Sequence, residues 1–458
     1  MQMLNNINND TICALATQAG GAIGIVRISG DEAINIADKI FNKNIIDAKP
    51  NTMHYGQIIE MTHNGEETID DVVVSVYRAP HSYTGENAIE ISCHGSSYII
   101  NKIVELLINN GCRMAQAGEY TQRAFMNGKM DLSQAEAVAD LIASTNRATH
   151  KMAMSQLRGN FSSELKSLRE QLLHLTSLME LELDFSDHED IEFADRTELL
   201  NITRTIEQHI SHLSNTFKTG QALKQGIPVA IVGQTNVGKS TLLNRLLHDN
   251  RAIVSDIHGT TRDTIEDTIN IKGVCFRFID TAGLRYTEDT IEQLGIERTY
   301  KKIEEASIVI WLTDQKPTSR EIKEMEELTY GKNVIIVQNK ADLTPNAAET
   351  AWTCPMLFIS AKENIGIDKL EQIIYKTANI PEISENDVII TNARHYEALK
   401  KAHTNITIVL NAIHSNMPSD LIAEDLRLVL SDLAEITGGE ITTTETLSNI
   451  FSHFCVGK

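Results

Sequence analysis

The feature that most constrains this chain is the spacing Gly233-x-x-x-x-Gly238-Lys239-Ser240, set between the β-rich run IPVAIV and the helical run TLLNRLL. A strand, a glycine-rich turn and a helix in that order form a phosphate-binding loop. The glycines let backbone N–H groups approach phosphates, and the helix N-terminus adds partial positive charge. Lys239 is placed to reach the β- and γ-phosphates, and Ser240 to hold Mg²⁺. From 228 to 380, strands and helices alternate. That alternation predicts a parallel sheet with helices on both faces.

Further motifs follow in order. Asp280-Thr281-Ala282-Gly283 comes after the strand CFRFI. Asp280 is suited to bind Mg²⁺ through water, and Gly283 to bring its N–H to the γ-phosphate. Asn339-Lys340-Ala341-Asp342 follows NVIIVQ. Asp342 can accept from both the exocyclic amine and the ring N–H of guanine. Adenine lacks that donor pair, so the expected nucleotide is GTP. Ser360-Ala361-Lys362, after another strand, supports the base. Ligands of open α/β sheets gather at the carboxyl ends of strands, where all four motifs fall.

Between the first two lies Gly259-Thr260-Thr261-Arg262-Asp263, from which Thr261 is expected to complete the Mg²⁺ shell. Leu284 stands after the DTAG motif, where Ras-like GTPases carry a water-positioning glutamine. Leucine cannot orient water, so another group must do so, and another positive charge must stabilise the transition state. Asn236 offers a side-chain oxygen, either to a monovalent cation beside the phosphates or to bonds within the loop. Glu292, in DTIEQLGIERT, either positions the water or lies on a solvated helix face.

A chain of 458 residues suggests about three domains. Residues 1–120 read as α+β: IGIVRIS, VVVSVYRA and AIEISCH are strand-like, and SSYIINKIVELLINNG is a helix closed by Gly111. Residues 121–220 and 382–458 carry helical spacing, around an α/β domain at 221–381. The expected architecture is one helical domain interrupted by an inserted P-loop domain. The net charge of −21 argues against broad nucleic-acid binding through phosphates. No run approaches the roughly 18 apolar residues of a membrane span, and the first residues lack a signal peptide's basic start and apolar core. The expected location is the cytoplasm. The six cysteines form no C-x-x-C pair, so no zinc site or disulfide framework is expected. The terminal Cys455–Lys458 is a poor prenylation box, ending in lysine. The acidic stretch from Glu180 to Glu198 reads as a solvated loop between helices. Cys93 and His94 are adjacent on a strand, so they point to opposite faces and make no dyad.

These residues resemble the MnmE (TrmE) family of tRNA-modification GTPases nearly end to end. Beyond the GTPase motifs, the resemblance rests on Ile23–Gly30 (IGIVRISG), Pro80–Glu86 (PHSYTGE), Gly118–Phe125 (GEYTQRAF), GKMDLSQAEAVADLI, GTTRD, DTAGLR and the terminal FCVGK. It implies a folate-binding α+β N-terminal domain, an all-α helical domain and an inserted α/β GTPase domain. It implies a homodimer through the N-terminal domains, with GTPase domains that meet when GTP and K⁺ bind. It places nucleotide contacts on Asn236, Val237, Gly238, Lys239, Ser240 and Thr241, and on Ser255, Asp256, Ile257, His258, Gly259, Thr260 and Thr261. Further contacts fall on Asp280–Gly283, Asn339–Asp342 and Ser360–Lys362. K⁺ falls on Asn236, Ser255, Ile257 and Thr260, Mg²⁺ on Ser240 and Thr261, and the water-orienting role on Glu292.

The same resemblance assigns a tetrahydrofolate derivative, in 5-formyl or methylene form, to Arg27, Glu90, Lys129 and Lys458. A carboxylate such as Glu90 suits a pterin's amine and adjacent N–H, and cations suit the acidic tail. Cys455 is a candidate for chemistry on the one-carbon unit, or a packed terminal thiol. The implied partner is a FAD-dependent subunit, joined in a heterotetramer that modifies carbon 5 of the wobble uridine of certain tRNAs. The alternative is an Era-like ribosome-assembly GTPase acting as a binding switch, which usually appends a basic RNA-binding module. A membrane-remodelling GTPase should show an amphipathic, Lys-rich segment, and none is seen.

Overall fold

The computed structural model describes residues 10–18, 20–63, 65–184, 196–249, 267–279, 303–343, 356–381, 384, 386–439, 447, 450–452, 454 and 457. The chain divides into two compact units, residues 1–139 with 434–458, and residues 140–433.

The first unit is built on β1 (Ile12–Leu15), β2 (Ile23–Ser29), β3 (Thr52–Thr62), β4 (Gly65–Tyr77), β5 (Ala88–His94) and β6 (Arg113–Met114), in the sheet order β3-β4-β5-β2-β1-β6. Only β1 and β6 pair parallel. Side chains alternate along each strand. Val26 and Ile28, Ile89 and Ile91, and Val72, Val74 and Val76 therefore enter one core with residues of the helices Ala33–Ile40 and Ser97–Asn109. Arg27 and Glu90, between those residues, face the other way.

The second unit holds β7 (Ile227–Val232), β8 (Asp267–Ile271), β9 (Val274–Phe278), β10 (Ile308–Thr313), β11 (Asn333–Gln338) and β12 (Met356–Phe358). Their order is β12-β11-β10-β7-β9-β8, parallel except for the β8–β9 hairpin. β10 buries both faces: Ile308, Ile310 and Leu312 enter one core, Val309 and Trp311 another. That accounts for its unbroken apolar run, as in covered parallel sheets.

The helix Arg196–Gln225 leads into β7, and the chain returns along residues 387–392 into the helix Ala393–His414, capped by Asn392. The inserted α/β arrangement read from the sequence is present. Its two ends lie side by side, as a tolerated insertion requires. Ile390 N–H donates to Thr216 Oγ1 (3.0 Å), and Gln221 Nε2 donates to Thr391 O (2.9 Å). The β8–β9 turn is fastened too, because Gly273 O accepts from Ala148 N–H (3.0 Å), in the first turn of the helix Arg147–Leu157. Among the described residues, no helix is long and apolar enough to cross a membrane.

Gly220, inside the helix Arg196–Gln225, makes the close approach of the returning segment possible: a Cβ there would collide with Ile390 O. Helix propensity alone favours alanine by about 1 kcal/mol. Overpacking costs roughly 1–3 kcal/mol, and a backbone carbonyl held by its neighbours yields little. Gly220→Ala is therefore expected to lower the thermal midpoint of the protein despite its better helix former. A raised midpoint would show that the returning segment moves aside freely.

Candidate nucleotide site

β7 lies between β10 and β9, so successive connections leave it in opposite directions. Such a switch point opens a crevice at the carboxyl ends of the strands. The loop Gly233–Gly238 occupies it. Gly233 (φ 151°), Asn236 (φ 63°) and Gly238 (φ 97°) take left-handed backbone angles. Asparagine tolerates this conformation better than other side-chain-bearing residues. Alternating turns of this kind form a concavity suited to anions. A Cβ on Gly233 would collide with Leu312 O, and one on Gly238 with Asn339 Nδ2, so the loop keeps its shape only with glycine at both positions.

Lys239 and Ser240 open the helix Lys239–Asp249. Lys239 Nζ donates to Gly233 O (2.8 Å) and Gln234 O (2.7 Å), which folds the ammonium back over the loop it is to serve. Val237 is buried in the sheet's core, anchoring the loop from below. Thr241 is exposed in the next position of the helix. The concavity, the ammonium and the positive helix end fit a polyphosphate, and Ser240 at that end fits a cation bound to it.

The residues expected to read the base lie beside this loop. Asn339, 4% exposed, donates from Nδ2 to Val237 O (2.8 Å) and accepts at Oδ1 from Ala361 N–H (3.0 Å). Ala341 N–H donates to Ile359 O (3.0 Å). Lys340 adopts φ 61° and reaches Asp314 Oδ2 at 3.0 Å. The Ser360 hydroxyl, bonded to the Asp342 carboxylate, holds that carboxyl below its ordinary range, with a further contribution from the charge of Lys362. Asp342 is thus ionised at neutral pH, the state needed to accept two guanine N–H groups. Asn236–Thr241, Asn339–Asp342 and Ser360–Lys362 are brought together. Ser255–Thr261, Asp280–Gly283, Glu292, Cys455 and Lys458 lie outside the described residues.

The first unit carries a second polar cluster. Arg27 and Glu90 are direct cross-strand partners. Arg27 donates from Nε (2.9 Å) and Nη2 (2.7 Å) to Glu90 Oε1, and from Nη1 to Gly457 O (3.1 Å). Its guanidinium lies 5.9 Å from the Tyr83 ring centre and 5.6 Å from that of Tyr120, whose hydroxyl donates to Arg27 O (2.8 Å). Burial pushes the Tyr83 and Tyr120 phenols up, keeping both neutral. Lys129 instead donates to Pro80 O (2.9 Å). The planar guanidinium, carboxylate and aromatic rings fit a flat heteroaromatic ligand with N–H donors. Tyr83 and Tyr120 lie within the PHSYTGE and GEYTQRAF motifs, where the sequence alone assigns them no part in this cluster. Their signal was aromatic residues inside two motifs that fold against Arg27.

Cys93 and His94 do part company. Burial pushes the Cys93 thiol up to about 11. The His94 side chain is 71% exposed and bonds through Nδ1 to Asp70 Oδ1 (2.7 Å).

A phosphate loop at the switch point, next to an ionised carboxylate suited to guanine, defines a P-loop nucleotide-binding domain. Comparison with known proteins narrows the class. The family model for the GTP-binding protein TrmE N-terminus matches residues 11–129, and that for the MnmE helical domain matches residues 132–455. The tRNA modification GTPase MnmE of Bacteroides thetaiotaomicron is 54% identical over 99% of this chain and 100% of its own length. Those of Phocaeicola vulgatus (52%, 99% of each chain) and Flavobacterium johnsoniae (49%, 99% of this chain and all of its own) are similar too. The chain belongs to the MnmE family of tRNA modification GTPases. That membership sets aside the Era-like alternative.

Asp342→Asn replaces a double acceptor with a group that presents an N–H toward guanine. GTP affinity is expected to fall by about tenfold or more, since lost charge-assisted hydrogen bonds cost about 1.5–3 kcal/mol. Xanthosine triphosphate should gain in return. Equal GTP affinity in competition binding would remove Asp342 from base recognition.

Proposed function

We propose that this protein is a K⁺-dependent GTP hydrolase acting in the cytoplasm. With a FAD-dependent partner subunit, it would modify carbon 5 of the wobble uridine of certain tRNAs, using a tetrahydrofolate one-carbon unit. The observation that carries the nucleotide part is the meeting of the phosphate loop and the Ser360–Lys362 loop across one amide, Asn339. The tRNA part rests on the named activity of relatives that match end to end.

In this reading, Lys239 leaves Gly233 O and Gln234 O to neutralise the β- and γ-phosphates, and Asp342 fixes the guanine. Ser240 and Thr261 hold Mg²⁺, with Asp280 reaching it through water. Potassium, held by Asn236, Ser255, Ile257 and Thr260, supplies positive charge beside the phosphates, where other GTPases use an arginine. Glu292 orients the attacking water and receives its proton, the task that Leu284 cannot perform. Folate is assigned to Arg27, Glu90, Lys129 and Lys458. Fit of the Arg27–Glu90 cluster to a pterin edge supports this. Cys455 is kept as a candidate for the one-carbon step. Pairing of two copies through the first unit is supported by the edge strand β3, which exposes Met53, Tyr55 and Met61. The partner subunits complete a heterotetramer on tRNA, and cycles of GTP hydrolysis time the modification by opening and closing the dimer.

Glu292→Ala should bind GTP within about twofold of the unaltered protein while hydrolysing it about 100-fold more slowly, the scale of general-base loss. With the flavoprotein partner, the same variant should leave the wobble uridine unmodified in nucleoside analysis by mass spectrometry. An unchanged hydrolysis rate removes Glu292 from the reaction. Full modification without hydrolysis breaks the proposed coupling.

A further inference from the structure

The helix that begins with Lys239 also touches the base-reading loop. Arg245 lies on it fewer than two turns beyond Lys239. Its guanidinium donates from Nε to Ala361 O (3.3 Å) and from Nη2 to Lys362 O (3.1 Å). The side chain is partly buried there. A charged planar fork that grips two successive carbonyls fixes the planes of both peptide units. Ala361 is held at its other end as well, since its N–H donates to Asn339 Oδ1, and Asn339 in turn holds Val237 O. Both grips on Ala361 therefore lead back to the phosphate loop and its helix.

We infer that Arg245 is a positioning residue for guanine recognition, locking the Ser360–Lys362 loop in register with the phosphate loop. This rests on the reading of the site as a GTP site and deepens it. Arg245 touches carbonyls that face the helix, so its effect reaches the nucleotide through the loop. It follows that Arg245 governs how well the base is held and leaves phosphate binding alone. A side chain that only stabilised the fold would weaken both ends together or neither.

The test compares the full-length protein with Arg245→Ala and Arg245→Lys. Dissociation of fluorescent GDP and GTP, competition by inosine and adenosine triphosphates, and competition by inorganic tripolyphosphate, which has no base, are read out. Arg245→Ala should release GDP and GTP about tenfold faster, the scale of a lost charge-assisted hydrogen bond. It should narrow the preference for GTP over ATP and leave tripolyphosphate affinity and kcat at saturating GTP within about twofold. Arg245→Lys keeps the charge but not the fork, and should recover only part of the loss. If the alanine variant fails to fold, the lysine variant alone must show the faster release. Parallel losses of GTP and tripolyphosphate affinity, or unchanged nucleotide release, overturn the assignment. If the unaltered protein itself shows no guanine preference, the underlying GTP reading fails first and this inference falls with it.

Discussion

One buried amide holds the nucleotide site together. Asn339 is almost fully enclosed, and burying an unbonded amide costs several kcal/mol. Its two hydrogen bonds, to Val237 O in the phosphate loop and from Ala361 N–H in the base-reading loop, satisfy it. Those bonds require Asn339 to approach the phosphate loop so closely that Gly238 has no room for a Cβ. The glycine of one motif and the asparagine of another are thus a single spatial constraint. The distance between phosphate and base recognition follows from it, because β7 and β11 flank β10 and deliver the two loops to the same edge.

The sequence made the α/β insertion legible because each motif sits at the end of an apolar run whose type is unambiguous. β7 and β11 lie where IPVAIV and NVIIVQ fall, and β9, Val274–Phe278, begins and ends one residue before the expected CFRFI. The two helical stretches on either side of it were equally plain from their spacing. Contacts set by register were not legible. Arg27 and Glu90 are 63 positions apart and meet only because β2 and β5 pair in one register. Gly457 reaches Arg27 from the far end of the chain. The Asp314–Lys340 pair and the grip of Arg245 on two carbonyls depend on how strand ends stack across the sheet, which no local pattern encodes.

Some stretches that mark the family serve the architecture of the first unit. Arg123, with a side chain 7% exposed, pairs with Asp10, Glu86 and Glu119, while Arg113 also reaches Asp10 and Glu119. Burial acts to raise the Glu119 carboxyl, but hydrogen bonds from Arg113, the Gln116 N–H and Arg123, with the charge of Arg123, bring it below its ordinary range. Such charges are tolerated inside a protein only as a bonded set, and removing one member leaves another stranded. The network joins the chain's start, the PHSYTGE loop and the GEYTQRAF helix. It explains why charged residues recur in those motifs without touching the Arg27–Glu90 pair. The same loop is held to the helix by Tyr83 and Thr121, whose hydroxyls are 2.9 Å apart, and by Asn127 Nδ2, which donates to Thr84 O (2.7 Å). Arg27 is thereby enclosed by elements fixed from several sides.

The proposed mechanism is that of a GTPase with Leu284 where Ras-like GTPases carry a water-positioning glutamine, its extra positive charge drawn from a monovalent cation near Asn236. Its most direct test is GTP hydrolysis by the purified protein in K⁺ and in Na⁺ at equal ionic strength. The account predicts fast hydrolysis in K⁺ and slow hydrolysis in Na⁺, a difference that Asn236→Ala abolishes. Equal, slow hydrolysis in both salts would contradict it and leave the catalytic charge to an external activating protein.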